Sequence, residues 1–212
     1  MTQSGWRAVG AEEFSVRESV GGVRGLIESS APGVVFVVAY LIWCGYKVPT
    51  IAALATVVLM VLARLVGRQP ILHALGGVFG VGLGALWAWR YGDPGEYFIP
   101  GFWINGVTFA GLVLTIAVGW PAVGVVVAIV RGAPMGWRRD ARLRRRFALA
   151  TWIMAALFAL KLAVQLPLYW ADEVAALGVV KLAMGIPLFV LTAWGIWLMV
   201  RGEELPGHDP EG

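Results

Sequence analysis

Two lysines sit where a lysine is costly. Lys161 and Lys181 fall inside long apolar stretches, and insertion scales put a lysine at the bilayer centre at roughly 2.5–3.5 kcal/mol. Gln165 follows Lys161 by four residues, which stacks the two side chains one turn apart on one helix face. Asn105 carries an amide into a third apolar stretch. Asn105, Lys161, Gln165 and Lys181 together are the candidate polar pocket, expected to open toward the outer surface. A cation with amide neighbours in low dielectric can hold an anion or a lipid headgroup. The competing reading spends the Lys161 protons on helix carbonyls and on Gln165 or Asn105. Lys181 is about five residues from the end of its apolar stretch, so snorkelling can serve it.

Other chemistry finds little to build on. No serine follows Ser30, and no Asp or Glu lies inside an apolar stretch. His73 and His208 are isolated, and Cys44 is the single cysteine. A Ser/His/Asp set within a span, a His-pair zinc motif and paired acids for a magnesium diphosphate are therefore absent from the pattern. A proton path through membrane carboxylates is equally unsupported. The expectation is a chain that is not an enzyme, with no cofactor, no metal ligand set and no internal disulfide.

The elements that must position these groups are apolar helices. The chain has 212 residues, of which 59% are hydrophobic and 14% charged. Soluble domains carry about 25% charged residues. Apolar runs occur at Pro32–Tyr46, Thr50–Val66, Ile71–Tyr91, Gly101–Gly119, Phe147–Trp170 and Ala176–Val200. The first, at fifteen residues, covers only about 22 Å as helix, short of about 30 Å, so it either borrows a turn from Ile27–Ala31 or sits in a thinned region. Ala122–Val130, purely apolar and bounded by Trp120-Pro121, is too short to cross and must lie in the interface or re-enter. The fold class expected is all-α: an integral membrane bundle of about six transmembrane helices in three hairpins, plus that short helix. Residues 1–30 form an N-terminal tail, either loose or amphipathic over Ser15–Ile27. Residues 31–200 form the membrane domain, and 201–212 a disordered tail. Gly76, Gly80 and Gly84 repeat every four residues and predict a helix-packing ridge. Ala155, Ala159 and Ala163 predict another.

Orientation comes from Arg131–Arg146, RGAPMGWRRDARLRRR, with seven arginines and one acid. Arg138, Arg139, Arg142, Arg144, Arg145 and Arg146 crowd a predicted loop that holds the cytoplasmic side. With six crossings, thirteen Lys and Arg fall on that side and only Lys47 and Arg90 on the other. Both termini are then cytoplasmic in a multi-pass cell-membrane protein. The net charge of +4 is explained by topology, so nucleic acid is not an expected partner. The expected partners are the bilayer, anionic lipid headgroups at the basic loop, and membrane-protein partners or further copies of the chain.

Five stretches carry a family resemblance: SAPGVVFVVAYLI, ARLVGRQPI, EYFIPGFWINGV, WRRDARLRRRFALATWIMAALFALKLAVQLPLY and GIPLFVLTAWGIWL. Together they resemble an actinobacterial family of polytopic membrane proteins classed as a domain of unknown function. The resemblance spans nearly all of residues 28–201, and the arginine-rich segment with the span after it is its most specific part. The order of features is more distantly similar to the intracellular septation protein A group. The resemblance implies a membrane location and an envelope role through partner proteins, and supplies no catalytic residues. Read from the polar residues instead, the chain is a small transporter or channel for an anionic or amphiphilic solute.

Overall fold

A computed structural model describes residues 22–43, 45–67 and 72–202, with side chains for 31–43, 45–67 and 79–202. The expected amphipathic stretch before Gly22, the end of the C-terminal tail, Cys44, and the side chains of His73 and Gly76 lie outside the described residues. The described chain is all helical. In order come α1 Gly22–Trp43, α2 Lys47–Val66, α3 Leu72–Tyr91, α4 Ile99–Ala117, α5 Ala122–Val130, α6 Ala141–Trp170, α7 Val174–Ala183 and α8 Ile186–Val200. Short 3-10 turns at Gly95–Phe98 and Met135–Arg139 lead into α4 and α6.

Lys47–Val66, Gly95–Ala117, Ala141–Trp170 and Val174–Val200 are long and apolar enough to cross a bilayer, and Ala31–Trp43 is a shorter apolar helix. Their outer faces agree with that reading. Leu59, Trp103, Val107 and Leu191 are each at least 60% exposed, and apolar surface of this extent does not face water on a stable monomer.

The helices fall into two compact units. The first comprises the chain to Pro100 together with Asp172–Leu182. There α1 packs on α2, α2 on α3, and α3 on the 3-10 turn before α4. Phe36, Tyr97 and Phe98 form its aromatic centre. The Phe36 and Tyr97 rings stack at 3.9 Å, and Phe98 meets both edge-on. Gly84 lets α3 approach that centre: a Cβ there would lie 2.7 Å from the Tyr97 carbonyl oxygen. At Gly80, one turn earlier on the predicted glycine ridge, a Cβ would meet nothing within 4 Å. Of the three glycines, Gly84 is the one seen to bear a close contact.

The second unit comprises Gly101–Ala171 and Ala183 onward. Its core joins Val123 and Ala128 of α5, Trp137 of the 3-10 turn, Leu143, Phe147 and Ala150 of α6, and Ile196 and Val200 of α8. Gly124 is a true close approach, since a Cβ there would fall 2.8–2.9 Å from the Trp137 and Phe147 rings. The α5 N-terminus is tied to α6 by one hydroxyl. Thr151 Oγ1 accepts the Val123 N–H at 3.2 Å and donates to the Phe147 carbonyl at 2.7 Å.

Three expectations are corrected in this architecture. The first apolar helix starts at Gly22 rather than Pro32, giving 22 residues and about 33 Å. Pro32 is accommodated inside it at the loss of one backbone bond. The basic stretch is not a loop through Arg146. Asp140 caps α6, its carboxylate accepting from the Arg142 and Leu143 N–H groups at 2.8 and 3.3 Å, so Arg142, Arg144, Arg145 and Arg146 ride on the first two turns of a helix. The last apolar run is two helices, interrupted at Met184–Gly185. A backbone with ψ of −110° at Gly185 and a proline in the first turn of α8 both break the pattern there.

Candidate functional site

The basic segment supplies structure before it supplies charge. Gly132, at φ of +62°, turns the chain after α5. Arg131 reaches back so that its guanidinium donates to the Val200 and Arg201 carbonyls, both at 3.2 Å. Those are orphan carbonyls at the end of α8, where a cation is also favoured by the helix dipole. Arg138 lies flat over the Trp120 ring at 3.6 Å, and Trp137 beside it is fully buried against Phe147. Arg139, Arg142, Arg144 and Arg145 are exposed.

The polar candidates separate between the units. Lys181, half-buried on α7, belongs to the first. Its ammonium stands 5.1 Å from the Tyr97 ring centre and 4.7 Å from that of Phe98, so the charge is met by two aromatic faces. Asn105, Lys161 and Gln165 belong to the second unit.

Phe102 at the start of α4 meets Tyr169 at the end of α6, ring centres 5.6 Å apart. Val123, just beyond α4, bonds Thr151, eighteen residues earlier on α6 than Tyr169. Asn105 lies three residues past Phe102 on α4, and Gln165 four residues before Tyr169 on α6. Lys161 follows one turn, about 6 Å, deeper on the same α6 face.

Burial singles out the α6 pair. Gln165 is 3% exposed and Lys161 9%, whereas Asn105 is half-buried. The Lys161 ammonium has the Phe158 ring 5.3 Å away. Among the described residues no hydrogen bond joins Lys161, Gln165 or Asn105 to any partner. Threonines nearby behave differently: Thr108 and Thr115 donate to the Ile104 and Leu112 carbonyls of their own helix, at 2.7 Å each, and are internally satisfied. The expected alanine face of α6 is turned partly outward. Ala155 is buried, Ala159 half-buried and Ala163 exposed, while Leu157, Lys161 and Gln165 continue the buried stripe.

Reading the sequence missed three positions. Asp140 had a legible signal, an acid just ahead of a helical run. Gly185 with Pro187 had one too, as a helix restart. Thr151 had none, because a threonine within an apolar run does not declare its partner.

No curated protein and no solved structure matches the chain. Residues 20–206 match the model of a family described as "Protein of unknown function (DUF3159)". That match takes in every helix from α1 to α8, and the chain belongs to this family of unknown function.

Proposed function

We propose that the protein is a non-enzymatic six-span component of the cell membrane that binds an anionic or amphiphilic ligand through Lys161. Both termini and Arg131–Arg146 lie on the cytoplasmic side in this reading, and Leu72–Tyr91, a twenty-residue apolar helix, is one of the six spans. The thirteen-to-two distribution of Lys and Arg supports the orientation. Exposed Arg139, Arg142, Arg144 and Arg145 then meet anionic headgroups at the inner leaflet.

One observation carries the ligand reading: Lys161 and Gln165 are buried on a membrane helix with no hydrogen-bond partner among the described residues. An ammonium within a membrane span and without an acceptor among the described residues is costly, so a counter-charge from outside the chain is the simplest compensation. An envelope role through partner proteins, which the resemblance implies, is compatible with this chemistry if the ligand is a headgroup.

Lys161→Leu separates the readings. The variant should melt in neutral detergent at or above the wild-type temperature, because a costly buried charge disappears, and should fail to complement a deletion strain. Unfolding of the variant would make Lys161 structural. Full complementation by a folded variant would remove the ligand site and leave the partner-only reading.

A further inference from the structure

Arg138 is fixed in place yet bonded to nothing. Its guanidinium lies 3.6 Å over the Trp120 ring, but no hydrogen bond or ion pair of Arg138 occurs among the described residues. Its Nε is buried without a partner. Trp137, the residue before it, repeats the pattern: the side chain is fully buried and the indole Nε1 has no acceptor. Buried donors are ordinarily satisfied, and two consecutive residues that break the rule lack an acceptor that the described chain does not supply.

Both side chains converge on the start of α5. Arg138 covers Trp120, and the Trp137 ring lies against Gly124, where an added Cβ would fall 2.8 Å from it. α5 begins between those two positions, at Ala122. Nothing nearby neutralises the charge. Asp140 is the one acid among the described residues of the second unit, and its carboxylate accepts from the Arg142 and Leu143 N–H groups. Exposed Arg139 follows Arg138 directly. Trp120 is 38% exposed, so the stacked pair reaches the surface.

This arrangement suits a phosphate. Stacking on an aromatic face holds a guanidinium in one plane, and its fork of N–H groups then meets two oxygens of one oxyanion. A lysine would offer a mobile point charge instead. Donors without acceptors, in a surplus of positive charge, call for a group that is all acceptor and strongly negative.

We propose that Arg138, held on Trp120, and the Trp137 indole N–H form one phosphate site beside the start of α5, which takes phosphate either free or as an anionic lipid headgroup. The inference rests on the reading that sets the basic segment among headgroups, and narrows that general attraction to one stacked guanidinium. Lys161 has no part in it.

The test uses full-length protein in neutral detergent, labelled with 15N-tryptophan, with the Trp137 indole signal identified by its loss in Trp137→Phe. Inorganic phosphate and a short-chain phosphatidic acid are titrated separately at fixed ionic strength. Either probe, or both, should raise the melting temperature and move the Trp137 indole signal. The probe that acts at lower concentration identifies the source as free phosphate or headgroup. Arg138→Gln should weaken binding about 10-fold to 100-fold, the effect of losing one charge-assisted hydrogen bond. Arg138→Lys should not restore it, because the charge returns without the planar fork. If neither variant folds, the wild-type Trp137 signal decides alone. Binding of inorganic phosphate without phosphatidic acid keeps the site and removes the headgroup from it. Binding that survives Arg138→Gln but is lost when Arg139, Arg142, Arg144 and Arg145 are all replaced by glutamine overturns the site and keeps the headgroup reading. Wild-type binding by Arg138→Lys, or a Trp137 signal unmoved by both probes, overturns the inference.

Discussion

Gly84 and Gly80, one helical turn apart on α3, should respond in opposite directions to the same substitution. At Gly84 an added Cβ falls 2.7 Å from the Tyr97 carbonyl oxygen and 3.0 Å from two of its ring carbons. The ring cannot retreat, because it is 5% exposed and stacked on Phe36 at 3.9 Å. At Gly80 the same Cβ meets nothing within 4 Å. Alanine is favoured over glycine in a helix interior by about 1 kcal/mol, a term common to both sites. Overpacking a closed contact costs about 1–3 kcal/mol, a term confined to Gly84. Gly80→Ala should therefore be neutral to stabilising, and Gly84→Ala should be about 1–3 kcal/mol less stable than Gly80→Ala. Thermal unfolding of the two variants in mixed micelles reads the difference directly, and it amounts to roughly 2–12 °C in melting temperature at this chain length. Equal stability of the two alanine variants would refute the close approach of α3 to Tyr97.

Other consequences are local. Thr151→Val keeps the shape but removes the hydroxyl that accepts from Val123 and donates to Phe147; it should cost about 1–3 kcal/mol by leaving a buried N–H without its acceptor, measured by the same unfolding assay. Asp140→Ala should cost about 1 kcal/mol as a lost helix cap, and Asp140→Asn should recover most of it. Topology reporters fused after Arg139 and after Gly202 should both read cytoplasmic; an outside signal at the C-terminus sinks the six-span reading.

Much of the helical order was legible because lipid demands long apolar runs, and their edges show in the pattern. Ala122–Val130 emerged with the bounds its composition implied, since Pro121 and Arg131 fence it. What the pattern could not say is which charges are spent on structure. Seven arginines in sixteen residues look alike in a topology count. Yet Arg131 holds the end of α8, Arg138 lies on Trp120, and four of the rest sit on α6 because Asp140 begins the helix there. Glycines were ambiguous for a related reason. Spacing placed Gly80 and Gly84 on one face, but only the position of Tyr97 decides which of them is crowded. For the polar candidates, the four-residue step from Lys161 to Gln165 gave their shared face, and burial then distinguished them from half-buried Asn105. Lys181 was grouped with them by depth alone, and its nearest described partners are the aromatic rings of the other unit. The break at Gly185 lies within an unbroken hydrophobic run, so hydropathy does not register it and Pro187 is its one sign in the pattern.

Whether the Lys161 ammonium is held for a ligand is tested most directly by an experimental density map of the purified protein, in lipid and at side-chain resolution. Non-protein density is expected within hydrogen-bond distance of Lys161 Nζ. A Lys161 ammonium bonded to protein carbonyls, or extended to the lipid interface, would contradict the ligand reading.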